Sequence, residues 1–319
     1  MSNLYIVTGA GPVGTTIAEQ LAGQGHRVRI LTRSGSGPDH PLVERRSADV
    51  SRPEALDELF AGAAAIFHCI HGSAYSAAAW EAELPAAEQN VLAAAGRAGA
   101  VVVFPESLYS YDRPDQVMTE DGPRRADGGK RGVRTALLAG RASSATPTVS
   151  VVASDFFGPH VLNAHAGERM VPLVLSGRTI RVLGNPDLPH SFTYVPDLAA
   201  AMIAAAGNRE VWNKVLHAPT LPAITQRGIV EAYARAAGTP APKVGSIPGW
   251  LLRGLGPFAA GMRELAEMTY QFERPFVMSS ARSEELLGLR PTPLDTAAAA
   301  TVGWWRGRLA SRQEAGSAA

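Results

Sequence analysis

The sequence predicts an α/β protein with a Rossmann-type doubly wound parallel sheet and a smaller, mostly helical C-terminal substrate region. Short apolar runs alternate with helical stretches over residues 1–157, which is the pattern of βαβ units. A glycine-rich turn joins the first apolar run to the first helix, where a nucleotide-binding sheet requires it. Beyond residue 157 the alternation breaks down, and helical patterns prevail from residue 225 onward.

The predicted elements of the first half follow from apolar runs, helical periodicity and turn residues. The predicted strands are residues 4–7, 27–32, a short third strand before Asp49, 64–69, 100–104 and 149–153. The predicted helices are residues 15–24, 51–60, 77–98 and 132–144. A loop is predicted at residues 105–129. Ser51, Pro53 and Glu54 favour a helix start, because they supply a capping side chain, a first-turn proline and a glutamate at capping-box spacing.

The Rossmann domain is predicted to span residues 1–157 and to regain segments near 191–218. There, Asp197 is expected to cap a helix and residues 215–217 to return to the main sheet. A substrate-binding region is assigned to residues 158–190 and 219–310, and residues 311–319 are predicted to form a frayed tail.

Composition excludes several classes of function. With 30 basic and 29 acidic residues, dispersed along the chain, we expect no nucleic-acid partner. The single cysteine, Cys69, forms no internal disulfide and is interpreted as a small core residue in a reducing compartment. No leader-like N-terminus, no apolar run long enough for a bilayer and no metal-ligand spacing are present, so we expect a cytoplasmic protein without membrane or metal.

The turn Gly9-Ala10-Gly11-Pro12-Val13-Gly14 is predicted to bind the pyrophosphate of a dinucleotide, with Pro12 and Val13 at the start of the helix. Gly9 permits the tight turn, Gly11 lets the backbone approach the pyrophosphate, and Gly14 allows the helix to pack closely on the strand. The helix N-terminus then presents unpaired N–H groups to the phosphates. The alternative is a glycine-rich turn without a ligand.

The end of the second strand favours NADP(H) over NAD(H). The stretch Leu31-Thr32-Arg33-Ser34 holds no carboxylate for a ribose hydroxyl, whereas Arg33 would pair with a 2′-phosphate. The alternative is a solvated Arg33. Asp49, followed by Val50, is placed to reach the adenine, although an aspartate in a loop turn is the competing interpretation.

Further motifs resemble the short-chain dehydrogenase/reductase superfamily, in its extended and atypical NAD-dependent epimerase/dehydratase branch. They are the glycine turn, Asp49-Val50, Phe67-His68, Ser107 with Tyr111, Ser154-Asp155-Phe156-Phe157-Gly158-Pro159, Phe192-Thr193-Tyr194-Val195-Pro196-Asp197 and residues 267–276. The resemblance implies that Ser107 hydrogen-bonds the reacting oxygen and that Tyr111 lines the substrate pocket. It also implies a Tyr-x-x-x-Lys pair, in which the lysine lowers the phenol pKa and binds the nicotinamide ribose.

The chain departs from this family at the tyrosine of that pair. Lys130 occupies the place of the lysine, but Ala126 stands four residues before it. Neither of the other two lysines follows a tyrosine at this spacing, so Tyr-x-x-x-Lys occurs nowhere in the sequence. Lys130 is expected to contact the ribose, with a solvated first-turn cation as the alternative.

Other groups are candidates for the missing proton donor. Tyr111, or with less support Tyr109, can reach the pocket from the loop after the fifth strand, unless it is a loop-packing aromatic. His71 follows the fourth strand and titrates near neutrality, although a loop histidine is often only a hydrogen-bonding residue. His190 and Asp155 lie in segments that flank the pocket in the family, where capping or a buried hydrogen bond would also explain them.

Three functions follow from these residues. The first is an NADP(H)-dependent oxidoreductase that acts on a small-molecule carbonyl or alcohol. The second is a cofactor-bound isomerase, epimerase, dehydratase or cyclase with no net redox change, motivated by Ala126. The third is a non-enzymatic NADP-binding sensor. The oligomeric state stays open, although the helices after strands four and five would serve a homodimer, as in many members of the family.

Overall fold

In the computed structural model, which describes residues 3–255 and 260–317, strands and helices alternate along the first half of the chain. The strands are β1 (Leu4–Thr8), β2 (Arg27–Thr32), β3 (Val43–Ser47), β4 (Ala63–His68), β5 (Val101–Ser107), β6 (Thr148–Ala153), β7 (Asp155–Phe157), β8 (Ile180–Leu183), β9 (Pro189–His190), β10 (Phe192–Tyr194), β11 (Lys214–His217), β12 (Ile224–Thr225) and β13 (Val244–Ile247). The helices are α1 (Pro12–Gly23), α2 (Leu56–Phe60), α3 (Ala77–Ala98), α4 (Gly129–Ala142), α5 (Val171–Leu175), α6 (Val195–Gly207), α7 (Gln226–Ala237), α8 (Gly249–Leu255), α9 (Ala260–Ala266), α10 (Tyr270–Glu273), α11 (Ala281–Leu287) and α12 (Leu294–Ser317).

Seven parallel strands form the central sheet in the order β11-β6-β5-β4-β1-β2-β3. The order reverses between β1 and β4, and such a switch point opens a ligand crevice at the carboxyl ends of the strands. The structure therefore confirms the Rossmann-type sheet, including the predicted return of β11 beside β6. None of the helices within residues 3–255 and 260–317 is long and apolar enough to cross a membrane.

Both faces of the sheet are buried because successive strand residues point to opposite sides. In β1, Ile6 and Val7 are both fully buried but belong to different clusters. Val7 packs with α1 and α6 on one face, whereas Ile6 packs with α2 and α3 on the other. This arrangement explains why the buried strands read as continuous apolar runs in the sequence.

The C-terminal region builds its own apolar cluster from α5, α7, α12 and strand β8. The pairing of β7 with β10 joins this region to the first half of the chain, whereas β9 with β12 and β8 with β13 form two-stranded sheets within the C-terminal half. The mostly helical character of this region is as predicted. The domain boundary at residue 157 and the substrate role of this region remain predictions.

Two predicted helix caps have other partners. The Ser51 hydroxyl donates to the Asp49 carboxylate at 2.7 Å, and a 3₁₀ turn over Pro53–Ala55 precedes α2 without a side-chain cap. A nearby carboxylate competes for a serine hydroxyl, which is why this pattern did not give a cap. Asp197 lies in the first turn of α6, where its carboxylate accepts hydrogen bonds from the backbone and hydroxyl of Thr292.

The predicted frayed tail is helical as far as it is described. α12 continues to Ser317, and residues 318–319 lie outside the described residues. The segment from Arg308 to Ala315 is rich in alanine, arginine, glutamine and glutamate, all of which favour a helix even without packing. Part of the predicted loop at 105–129 has regular secondary structure instead, because β5 extends to Ser107 and a 3₁₀ turn follows over Leu108–Ser110.

Candidate active site

The glycine turn has the geometry that a pyrophosphate site requires. Gly9 has a φ of +93°, and a Cβ there would stand 2.9 Å from the carbonyl oxygen of Cys69. A Cβ on Gly14 would overlap the carbonyl oxygen of Gly9. A Cβ on Gly11, in contrast, would meet open space. Glycine is therefore required by packing at positions 9 and 14, whereas the backbone at Gly11 borders open space that a ligand can enter.

The start of α1 presents backbone donors to that open space. Gly11 is the N-cap residue, no side chain caps the helix, and Pro12 occupies its first turn. The side chain of Val13 is buried in the core, so only its backbone N–H can face a ligand. Uncapped N–H groups at a helix N-terminus bind phosphate well, so these residues fit a dinucleotide.

Arg33 and Asp49, the residues predicted to bind the adenosine end of the cofactor, follow strands β2 and β3. Arg33 is exposed in the turn that follows β2. Hydrogen bonds from Ser51, together with the charges of Arg52 and Arg33, hold the pKa of Asp49 below its usual value. The side chain of Val50 is buried in the core, so its contact with a cofactor would be through the backbone.

Aromatic side chains from three segments meet at the carboxyl ends of β4 and β5. The hydroxyls of Tyr75 and Tyr109 lie 2.9 Å apart. The ring of Tyr109 stacks on Trp80 at 6.3 Å between centroids, and the rings of His71 and Trp80 are nearly perpendicular at 4.7 Å between centroids. Lys130 completes the group, because its ammonium lies 4.9 Å from the centre of the Tyr75 ring. Tyr75, from the loop between β4 and α3, thus places a phenol beside Lys130, whereas Ala126 supplies none.

Lys130 is not the solvated cation of the alternative interpretation. Its side chain is fully buried, and the ammonium contacts the carboxylates of Glu264 at 2.5 Å and Glu267 at 2.7 Å. Glu267 also accepts the backbone N–H of Lys130 at 2.8 Å, and Gly129, with a φ of +50°, leaves room for that carboxylate. A contact between Lys130 and a ribose therefore requires these carboxylates to share or release the ammonium.

Tyr111 does not join the aromatic group. It is 2% exposed, its hydroxyl donates to the carbonyl of Thr119 at 2.8 Å, and the ring nitrogen of His217 lies 2.6 Å away. Arg124 donates to the same hydroxyl at 3.0 Å. The 3₁₀ turn over Leu108–Ser110 changes the direction of the chain after β5. Tyr109, inside this turn, therefore reaches the aromatic group, and Tyr111, which follows it, does not. The structure gives Tyr111 the packing role that the sequence had as its alternative.

Ser107 ends β5 and is held by a buried charge network. The carboxylate of Glu106 accepts the Ser107 backbone N–H at 2.7 Å and lies 3.3 Å from its hydroxyl. The guanidinium of Arg141 binds Glu106 at 2.8 Å and Glu88 at 2.6 Å. Burial raises the pKa of Glu88, but the Arg141 charge outweighs burial, and the pKa lies below its usual value. Ser107 is therefore anchored by residues behind the sheet edge.

His71 is placed as a neutral group. Loss of solvent around its ring and the positive charge of Arg134 lower the pKa of His71, so it is uncharged at neutral pH. A neutral imidazole can donate from one nitrogen and accept at the other. Its position after β4 is compatible with the predicted role at the nicotinamide side, which stays a prediction.

An aspartate–histidine pair stands next to the aromatic group. The carboxylate of Asp155 lies 2.9 Å from Nε2 of His190, and Nδ1 of His190 lies 3.2 Å from the carbonyl oxygen of Gln271. Phe276 packs on both His190, at 5.3 Å, and Tyr270, at 6.1 Å. Burial is the main cause that raises the pKa of Tyr75, Tyr109 and Tyr270, and the negative charge of Asp155 raises each of them further.

Two residues of this site escaped the sequence analysis. Tyr75 lies in a loop with no motif, and no spacing signalled it. Tyr270 belongs to residues 267–276, which the sequence marks only as part of the family resemblance. Within residues 3–255 and 260–317, no group of three or more histidine, cysteine, aspartate or glutamate side chains is arranged to hold a metal ion.

The fold and the glycine turn together define a dinucleotide-binding Rossmann protein. The profile of the NAD dependent epimerase/dehydratase family matches residues 5–215, and the chain belongs to that family. This membership confirms the predicted family, supports an epimerase/dehydratase-like enzyme and supports a nicotinamide dinucleotide as its cofactor. No curated protein has a sequence that matches the chain.

Several solved structures share the fold over nearly the whole chain. WbmH of Bordetella bronchiseptica, solved in complex with NAD⁺, has a TM-score of 0.75 and 18% identity, covering 96% of this chain and 99% of that one. A UDP-glucuronic acid 4-epimerase from Bacillus cereus with NAD has a TM-score of 0.73 and 14% identity, covering 95% and 99%. A Thermus thermophilus UDP-glucose 4-epimerase with NAD has a TM-score of 0.72 and 21% identity, covering 95% and 99%. These identities establish the shared fold alone.

Proposed function

We propose that this protein is an NADP(H)-dependent enzyme that interconverts a small secondary alcohol and the corresponding carbonyl compound. The observation that carries the proposal is a set of contacts at the carboxyl ends of β4 and β5. The Ser107 hydroxyl accepts from the backbone N–H of Tyr109, the Tyr109 hydroxyl lies next to that of Tyr75, and the ring of Tyr75 packs against the ammonium of Lys130. This edge of the sheet is also where the glycine turn follows β1. Ligands of doubly wound sheets bind at this edge.

Each of these side chains would have a separate role in binding and orienting the substrate. Ser107 and Tyr109 would hold the reacting oxygen by hydrogen bonds, and Tyr75 would support the Tyr109 hydroxyl. A bound nicotinamide supplies or accepts the hydride. Burial raises the pKa of Tyr75 to about 12, so this phenol keeps its proton and acts as a hydrogen-bond donor at neutral pH.

Support for NADP(H) comes from Arg33 in the turn after β2. A guanidinium pairs well with a phosphate, and Leu31, Thr32 and Ser34 around it bring no carboxylate that would bind a ribose hydroxyl instead. The related structures were solved with NAD, so the proposal of NADP(H) depends on Arg33.

A turnover assay tests the proposed chemistry. The purified full chain is incubated with NADPH and a panel of ketones, aldehydes and enones, and with NADP⁺ and the matching alcohols, while NADPH absorbance and product are both followed. We expect NADPH to be consumed in proportion to the alcohol formed. Tight NADPH binding without consumption by any member of a broad panel would contradict the proposal.

A second candidate, epimerisation or dehydration without net redox change, is favoured by Ala126, since it removes the usual phenol beside Lys130. Two of the related structures carry the name of UDP-sugar epimerases. The same assay separates the candidates, because a product that forms without a lasting change in NADPH would show the second.

We also propose a homodimer through α3 and α4, which pack together and whose exposed positions include small residues such as Ala82, Ala86 and Ala136. Light scattering coupled to size exclusion tests it. A mass of one chain over the whole micromolar range would contradict it.

A further inference from the structure

We propose that Asp155 is the catalytic base and acid of this site and that His190 is its positioning residue. The assignment rests on the alcohol–carbonyl function proposed above. It answers the question that Ala126 raises, namely which group exchanges a proton with the substrate oxygen.

The position of Asp155 places its carboxylate at the reacting edge of the sheet. Ala153, at the end of β6, pairs with Ser107 at the end of β5, and Asp155 follows two residues later. The Asp155 side chain is 22% exposed, whereas that of His190 behind it is 3% exposed. One side of the carboxylate therefore binds His190 while the other remains accessible.

Hydrogen-bond geometry fixes the protons of His190. The carbonyl oxygen of Gln271 can only accept, so Nδ1 carries a proton towards it. Nε2 faces the Asp155 carboxylate at 2.9 Å. When Asp155 is ionised, Nε2 must donate as well, and the ring is an imidazolium. The rings of Phe272 and Phe276, at 5.0 Å and 5.3 Å, stack on it and hold its plane.

This pairing keeps Asp155 ionised although it is largely enclosed. Burial raises the pKa of Asp155, but the hydrogen bond and charge of His190, with the more distant His165, outweigh burial and hold the pKa below its usual value. The neighbouring phenols are no substitute as a base. Burial raises the pKa of Tyr109 and of Tyr270 far above neutrality.

Tyr270 supplies a second, independent sign of a ligand. Its hydroxyl is buried without a hydrogen-bond partner. Arg131 stacks on the Tyr270 ring at 4.9 Å and also donates to the backbone carbonyl of Tyr109 at 3.3 Å, which ties the two tyrosines together. A buried hydroxyl that lacks a partner is costly unless a ligand or water satisfies it. A polar substrate between Asp155 and Tyr270 would do so.

The proton step balances as follows. In oxidation, the substrate O–H bond breaks, its proton goes to the Asp155 carboxylate, and its electron pair forms the second bond of the carbonyl. The hydrogen on the same carbon leaves with its electron pair for the oxidised nicotinamide dinucleotide. In reduction the same steps reverse: Asp155, ionised at rest, takes up a proton from solvent and passes it to the oxygen as the hydride arrives at carbon.

Substitution of Asp155 tests the catalytic role. D155N should lower kcat by about 100- to 10,000-fold, the usual contribution of a general acid–base group, while calorimetry shows unchanged dinucleotide affinity. The matched control is D295N, since Asp295 also has a basic partner, Arg235, but lies at the surface. D295N should keep the wild-type kcat. A D155N variant that folds, binds the dinucleotide and turns over at the wild-type rate overturns the assignment.

Substitution of His190 separates positioning from packing. H190F keeps a ring against Phe272 and Phe276 but removes both nitrogens, and H190Q keeps a donor towards Asp155. The groups that face Asp155 are His190, His165, Tyr75, Tyr109 and Tyr270. Because H190F removes the main group that lowers the pKa of Asp155, the acid limb of kcat/KM should move to higher pH, and less so in H190Q. An unmoved limb in H190F assigns His190 to packing and overturns its positioning role.

Nitrogen chemical shifts of the His190 ring give a readout without turnover. Both nitrogens should be protonated at neutral pH in the wild type, and D155N should convert the ring to a neutral tautomer. A neutral ring in the wild type would mean that Asp155 holds the proton, and it would overturn the base assignment. If no substrate in the panel is turned over, the proposed function fails, and these shifts still decide the state of the pair.

Discussion

Glu267 binds Lys130 twice, at the backbone N–H through one carboxylate oxygen and at the ammonium through the other. The two contacts place a negative charge at the N-terminus of α4 and neutralise a lysine that is fully buried. A segment near the C-terminus is thereby attached to the first half of the chain at the lysine that the family resemblance predicts to be catalytic.

Replacement of Glu267 should destabilise the protein. E267Q keeps the shape but removes the charge that faces the buried Lys130, so we expect the free energy of unfolding to fall by about 1–3 kcal/mol. Urea unfolding measures it, with E285Q on the exposed side of α11 as the control. Equal stability of E267Q and the wild type would show that the Lys130 contact contributes nothing.

Gly14 and Gly23 offer a matched pair in one helix. A Cβ at position 14 would overlap the carbonyl oxygen of Gly9, whereas a Cβ at position 23 meets nothing within 4 Å. G14A should lose dinucleotide binding and about 1–3 kcal/mol of stability, because the turn must shift. G23A should bind normally and gain up to about 1 kcal/mol. Normal binding by G14A would contradict the turn's role.

Tyr109 and Tyr111 should separate activity from stability. Y109F should lower kcat with little change in unfolding, because its hydroxyl faces Tyr75 at the site. Y111F should keep kcat but lose about 1–3 kcal/mol, because Thr119, His217 and Arg124 lose a buried partner. Parallel kinetics and thermal unfolding check both, and the reverse pattern would return Tyr111 to the active site.

Arg141 should control stability in acid. R141M leaves Glu88 and Glu106 buried without their cation, which should cost about 3–5 kcal/mol at neutral pH. The pKa of Glu88 in the folded protein lies below its ordinary value of 4.5, so its contribution is present above that pH and is lost as the pH falls through the lower folded value. As the pH is lowered from neutral to acid, the free energy of unfolding should therefore fall more steeply in the wild type than in R141M. Parallel plots of this free energy against pH would contradict the pairing.

Local physics made most of the fold predictable. β2 and α3 have the bounds that apolar patterning predicted, and the glycine turn lies where a strand meets a helix. The site was less accessible, because its members meet only through tertiary contacts. Ser-x-x-x-Tyr spacing selected Tyr111, yet the 3₁₀ turn after β5 brings Tyr109 to the site instead. Tyr75 has no sequence signal, since its meeting with Lys130 depends on how α3 and α4 pack.

The state of Asp155 and His190 illustrates the same limit. The residues are 35 positions apart, and β7 and β10 bring their segments together. Either side chain alone has a simple structural explanation, and only their contact beside three tyrosines suggests proton transfer.

Calorimetric titration of the full chain with NADP⁺ and with NAD⁺ tests the central claim most directly, using R33A and the surface control R178A. We expect NADP⁺ to bind about ten- to a hundredfold more tightly than NAD⁺, since a charge-assisted hydrogen bond contributes about 1.5–3 kcal/mol. R33A should remove the difference and R178A should keep it. No heat with either dinucleotide, or tighter binding of NAD⁺ by the wild type, would contradict the claim.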